Sequence, residues 1–262
     1  MKKVPAFNTL IVLVTVSAMS LNAGADPNTM NALLTRTTER VSTFTGQISD
    51  VKCTEHVLQE KLSPNGKAEY KEESSYDYLV TLGDAGGELT LDESRVAERE
   101  ATHKKNIPLL VTNGFAMLFV IFHPYYAGSF EFSDGGEEMI GRKMLRKLHY
   151  RHVRGTRSPT ALALRGREYP LDLEGDAWID AESGAILRIT AAIPIGIEDL
   201  GLRSLRSDVK FAPVTFHGMK NPYLLPEQAV VEVETARQHW RNTHHFSDYR
   251  QFSVSTEENV KQ

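Results

Sequence analysis

Ile107-Pro108-Leu109-Leu110-Val111-Thr112-Asn113-Gly114-Phe115-Ala116-Met117-Leu118-Phe119-Val120-Ile121-Phe122 leaves almost no polar face. A helix that is apolar all round is buried all round. The run is about 16 residues long, short of the roughly 20 that a bilayer span requires. Pro108 and Pro124 bracket it at positions where helices start and stop. The pattern predicts a buried helix with strands on several sides of it; a membrane helix is the rival reading.

On both sides of this run the hydrophobic period is two. Upstream, Tyr76, Tyr78, Val80 and Leu82 alternate with Ser75, Asp77, Leu79 and Thr81. Ser63-Pro64-Asn65-Gly66 and Asp84-Ala85-Gly86-Gly87 are turn sequences between extended runs. Downstream, Leu171, Leu173, Ala177 and Ile179 face one way, and Asp172, Glu174, Asp176 and Asp180 the other. Ala181-Glu182-Ser183-Gly184 then turns the chain into Ala185-Ile186-Leu187-Arg188-Ile189, the clearest hairpin of the sequence. Further strands are predicted over 208–216, 229–235 and 246–254, punctuated by Gly218, Pro222 and Pro226, and a polar tail runs over 255–262. Before the first strand, Met30, Leu33, Leu34, Val41 and Phe44 fall at helical spacing, after a cap at Asp26 or Asn28.

The first 25 residues have a different logic. Lys2 and Lys3 precede a mostly apolar stretch, densest at Leu10-Ile11-Val12-Leu13-Val14, and Ala23-Gly24-Ala25 supplies the small residues of a signal-peptidase site. Residues 1–25 are therefore expected to be a secretory signal, cleaved after about Ala25, with the mature chain periplasmic or secreted. Thr9, Thr15, Ser17 and Ser20 break the run, which argues against a retained anchor, and no cysteine stands at the cleavage point to be lipidated. Cleavage leaves 237 residues, and the net charge falls from −4 to −6 as Lys2 and Lys3 are removed. Mild acidity argues against nucleic-acid binding. Cys53 is the only cysteine, so no internal disulfide holds the fold; a lone thiol is usually a small buried hydrophobe. With no repeat and no linker-like tract, residues 26–262 read as one domain, with a subdivision near 105–127 as the alternative.

The helix leading into long strands, the apolar mid-chain segment, and the hairpin Trp178-Ile179-Asp180-Ala181-Glu182-Ser183-Gly184-Ala185-Ile186-Leu187-Arg188 together resemble the periplasmic outer-membrane lipoprotein carriers and their relatives. Asn221-Pro222-Tyr223-Leu224-Leu225-Pro226 and Phe246-Ser247-Asp248-Tyr249-Arg250 resemble related exported proteins of unknown role. The resemblance implies a mainly β (α+β) fold: a strongly curved antiparallel half-barrel, an N-terminal helix, and a cavity that accommodates acyl chains. The chain departs from the carriers in its length and in a charged insertion around 93–105, and their lid arginine has no assigned counterpart here. Lipoprotein transfer itself is not carried over.

Motifs for chemistry are sparse. Gly-x-Ser-x-Gly, a phosphate-cradling Gly-rich loop and His-Glu-x-x-His are all missing. His149 and His152 lie three apart on a strand and so point to opposite faces, as do the adjacent His244 and His245, so no metal site is assigned. The acids Asp172, Glu174, Asp176 and Asp180 read as a solvated sheet face, against calcium ligands or a hydrolytic pair. Arg142-Lys143-Met144-Leu145-Arg146-Lys147 reads as a charged edge strand, against an anionic-headgroup site. Trp178 shares the acids' phase and reads either as an exposed contact residue or as one covered by the N-terminal helix.

The expectation is a non-enzymatic binding protein that holds a lipid, or the acyl chain of a lipid-modified partner, in an apolar cavity without a cofactor. Phe115, Phe119 and Phe122 are the candidate lining. A filled core, making the protein a structural or interaction module, is the alternative, and a hydrolase of unrecognised type is the third. Oligomeric state is left open.

Overall fold

The computed structural model describes residues 29–48, 51–85, 88–97, 114–164, 167–216 and 222–251. The expected signal at 1–25, the caps at Asp26 and Asn28, the start of the apolar run at 107–113, Gly218 and the tail at 255–262 lie outside them. Helix α1 (Met30–Ile48) leads into strands β1 (Val51–Leu62), β2 (Ala68–Ala85) and β3 (Glu88–Ala97). A 3₁₀ segment (Phe115–Phe122) and the single turn α2 (Pro124–Ala127) precede β4 (Phe130–Ile140) and β5 (Lys143–His152). A small separate hairpin, β6 (Ala161–Leu164) and β7 (Arg167–Pro170), follows. The chain then runs through β8 (Glu174–Ile179), β9 (Ile186–Ala192), β10 (Leu202–Val214), β11 (Tyr223–Thr235) and β12 (His239–Gln251).

Ten strands form one antiparallel sheet in the order β3-β2-β1-β12-β11-β10-β9-β8-β5-β4. β3 and β4 are its two edges, so the sheet is open. The last strand is its hinge: β12 pairs with β1 over Val51–Leu62 on one side and with β11 on the other. Strands from both sides of residues 98–113 thus belong to the same sheet.

This order explains the apolar mid-chain segment. β3 lies at one edge and β4 at the other; of the chain between them, residues 115–122 cross one sheet face over β11, β10 and β9. Ala116 to Phe122 are all buried there. A segment pressed between a sheet and a helix has no side left for water, and its composition follows. Its backbone differs from the expected long α-helix: Phe115–Phe122 is 3₁₀, broken at Met117. Gly114, with φ at 79°, starts the segment, and Pro124 opens α2 at its first turn instead of only ending what precedes it. The steeper rise of a 3₁₀ helix, about 2.0 Å per residue against 1.5 Å, covers more of that crossing per residue.

α1 uses a single stripe. Leu33, Thr37 and Val41, spaced by four, are buried, and Phe44 continues their line. The Thr29 hydroxyl accepts from the Ala32 N–H at 3.3 Å and caps the start. Strand periodicity accounts for the other side of the core: Leu205, Val209 and Phe211 of β10 and Ile189 of β9 are buried inward, while Asp208 and Arg188 pair outside at 2.7 Å.

Three surface readings are corrected. β5, the basic strand, is interior to the sheet and not an edge. Its cations are matched by acids on its neighbours: Arg146 with Asp134 at 2.6 Å, Lys147 with Glu138 at 3.7 Å and with Asp176 at 3.8 Å, and Lys143 with Asp180. The acid row is correspondingly not a plain solvated face. Asp172 is bonded to His152 and Arg154, Asp176 to His149, and Asp180 is buried under the hairpin turn, accepting from the Ser183 N–H and hydroxyl. Trp178 is buried, and neither solvent nor α1 is its neighbour on that side. Lys147 and Arg188, its cross-strand partners, lie over the ring at 5.7 and 4.5 Å, and its indole N–H donates to Glu138 at 2.9 Å.

Candidate functional site

The N-terminal half of α1 is fastened to the β8–β9 hairpin. Arg36 donates to the Ala181 carbonyl at 2.9 Å, and Gly184 comes so close that a Cβ there would stand 2.8 Å from the Arg36 carbonyl carbon. Gly184 also has φ at 68°, so the turn needs glycine for its backbone and the helix needs it for approach. Two turns further along, Phe44 packs edge-on against Phe119 at 5.0 Å and lies 6.3 Å from Tyr223.

Between these two anchorages α1 stands off the sheet and leaves a groove of about 610 Å³. Val41, Phe44, Phe119, Ile186, Phe211 and Leu224 make it apolar, while Arg36, Glu39 and Arg40 of α1, with Ser183, bring polar groups to it. Pockets that enclose small apolar ligands run from about 300 to 1,000 Å³ and carry a few polar groups of this kind.

The three candidate phenylalanines are dispersed by the structure. Phe119 lines the groove. Phe122 is fully buried at the far side of the segment, against Phe132 at 5.1 Å and Tyr150 at 6.5 Å. Phe115 is half-buried at the segment's start; neither it nor Phe122 is part of the groove wall formed by the described residues. Sequence reasoning missed Tyr223, Leu224 and the two α1 arginines. The positions 36, 40 and 44, one turn apart on one helix face, were the available signal.

A second group of polar side chains was also missed. Glu55 is fully buried on β1, in phase with Cys53 and Val57. Arg95 of β3 grips it with two hydrogen bonds of 2.5 and 3.0 Å, and His244 of β12 donates to it from Nδ1 at 2.8 Å. Arg95 also bonds Glu93 at 3.1 Å and lies over the Tyr78 ring at 4.8 Å. Glu93 in turn accepts from the Gly114 N–H at 2.7 Å, so the cluster holds the start of the 3₁₀ segment to edge strand β3. Burial raises the Glu55 carboxyl, but the bonds from His244 and Arg95 outweigh it and hold the group below the usual carboxylate value. Burial pushes the Cys53 thiol up to about 12, so it is a packed, unreactive sulfur.

Hydroxyl groups do approach histidines, and the geometry argues against activation. Thr156 lies 3.3 Å from His152 Nε2, but both ring nitrogens of His152 already face acceptors, Nδ1 the Asp172 carboxylate at 2.9 Å and Nε2 the Arg157 carbonyl at 3.1 Å. Thr156 itself donates to the Val153 carbonyl at 2.6 Å. Ser75 and His56 pair at 2.7 Å across an exposed part of β1 and β2. Neither pair lines the groove. Among the described residues no group of three or more His, Cys, Asp or Glu side chains converges on a point that could hold a metal ion.

No family model matches the chain, and neither does any curated protein. Solved structures do. A LolA superfamily protein from Nitrosomonas europaea is 11% identical, the match covering 88% of this chain and 97% of that one at a TM-score of 0.38. A DUF1329 family protein from Desulfovibrio piger is 12% identical over 88% and 98% of the two chains, with a TM-score of 0.46. A domain from Vibrio parahaemolyticus described as an outer-membrane lipoprotein-sorting protein is 12% identical over 86% and 94%, with a TM-score of 0.43. The first of these belongs to the superfamily that the hairpin at 178–188 resembles. At such identities and TM-scores the likeness carries no argument about function, which rests on the groove itself. The chain's own layout, an open antiparallel sheet with α1 and a buried segment on one face, is the half-barrel that the resemblance implies.

Proposed function

We propose that the chain is an exported, non-enzymatic binding protein whose groove holds an acyl chain, either of a free lipid or of a lipid-modified partner. The observation that supports this is the apolar groove of about 610 Å³ between α1 and the sheet. Burying an acyl chain of about 16 carbons is worth on the order of 12 kcal/mol at about 0.8 kcal/mol per methylene. A lipid therefore crosses water only inside such a shelter. The signal-like residues 1–25 supply the reason for the journey. Among the described residues no helix is long and apolar enough to cross a membrane. In this reading Phe119 touches the acyl chain, and Phe115 and Phe122 hold the 3₁₀ segment that presents it.

Native mass spectrometry of protein purified from its exported compartment, together with uptake of a fluorescent fatty acid, tests the proposal. Lipid adducts and saturable uptake, both reduced when Phe119→Trp fills the groove, are the expected result. A protein that carries no adduct and takes up no probe is a structural or interaction module instead.

A further inference from the structure

The two faces of the groove differ in charge, and α1 carries all of its ionic groups. Arg36 and Arg40 lie one helical turn apart on the face that borders the groove, with Glu39 beside them. Arg36 reaches across to the Ala181 carbonyl at the hairpin. Arg40 is exposed and makes no ion pair among the described residues. Phe44, where the floor becomes aromatic, lies eight residues beyond Arg36, about 12 Å along the helix axis at 1.5 Å per residue. The groove thus has a cationic rim over an apolar floor, which is the outline of an amphiphile with a negative head.

Building on the acyl-chain reading above, we propose that the ligand is an anionic long-chain amphiphile whose head is met by Arg40, with Arg36 reinforcing the local positive potential. A guanidinium at the rim of an apolar groove reaches a carboxylate or phosphate oxygen through charge-assisted, two-pronged hydrogen bonds. A neutral head of the same chain length gains the burial without the ion pair. Glu39 opposes the anion, which makes it an internal control of the opposite sign. A free fatty acid and a phosphate-bearing lipid share this chemistry, and the test separates them.

The experiment measures binding of palmitate, hexadecyl phosphate and hexadecanol to the purified protein and to its Arg40→Gln, Arg40→Lys and Glu39→Gln variants. Palmitate or hexadecyl phosphate binds about three- to tenfold more tightly than hexadecanol, and the preference shrinks with added salt. Arg40→Gln abolishes the preference by weakening palmitate and hexadecyl phosphate several-fold more than hexadecanol, Arg40→Lys restores part of it, and Glu39→Gln enlarges it. The anion that binds more tightly identifies the head as carboxylate or phosphate. Equal binding of all three amphiphiles, unmoved by Arg40→Gln, overturns the headgroup assignment and leaves the acyl groove standing. Binding of none of them overturns both.

Discussion

Glu55 shows what a single inward-pointing charge demands of its surroundings. It occupies a position whose neighbours in phase, Cys53 and Val57, are ordinary core residues, and it is tolerated because Arg95 and His244 arrive from two other strands. Glu55→Ala leaves the partly buried Arg95 and the buried His244 without their shared anion and is expected to cost about 3–5 kcal/mol, read from denaturant midpoints. Cys53, with its thiol pushed up to about 12, is expected to resist iodoacetamide at pH 8 in the native protein and to react once denaturant is added. The sequence made Cys53 legible, because a lone cysteine is usually a small buried hydrophobe. It left Glu55 illegible, because its partners lie 40 and 189 residues away and only the strand order brings them together. Trp178 failed for a related reason. Alternation placed it on the correct face, but the Lys147 ammonium and the Arg188 guanidinium that lie over its ring come from neighbouring strands.

The element most exposed to a small change is the contact between α1 and the β8–β9 turn. Gly184→Ala combines a left-handed backbone with a Cβ 2.8 Å from the helix backbone, so α1 must lift. The expected loss is about 1–3 kcal/mol, with faster amide exchange along α1 and a wider groove that holds a fluorescent fatty acid less tightly. Legibility at this scale was uneven. The hairpin around Gly184 was readable from turn residues and alternation, and α1 from its helical stripe. The 3₁₀ geometry of Phe115–Phe122 was not, because an unbroken apolar run has no period from which to tell one helix from another. The basic strand β5 was misplaced at an edge because charge alone does not reveal strand order; cross-strand acids neutralise it in the interior.

At the scale of the molecule, several carboxyls titrate together. Asp180, with burial opposed by the bonds from Lys143 and Ser183, is lowered to about 2, and Glu55 and Glu60 are also lowered. A carboxyl whose folded value lies below its unfolded value stabilises the fold above the unfolded value, and that contribution disappears as pH falls through the folded one. Thermal stability is therefore expected to be level near neutrality and to drop as pH falls below about 4.5, with Asp180 releasing its share between about 4 and 2. Asp180→Asn removes part of that pH dependence, on the order of 1 kcal/mol given the exposure of Lys143. We expect residues 26–262 to melt in one transition by calorimetry; two transitions would divide the chain near residues 105–127.

The central place of β12 has a consequence for the timing of folding. Until His239–Gln251 has been made, β1 offers an unsatisfied row of backbone groups and β11 offers another, and nothing joins the three strands of the early chain to the rest of the sheet. Pairing Val51 with Gln251 closes a loop of almost the entire described polypeptide, an ordering step that comes late and slowly. A nascent chain built this way stays threadable until β12 has been made, and only then do its early and late strands share one sheet.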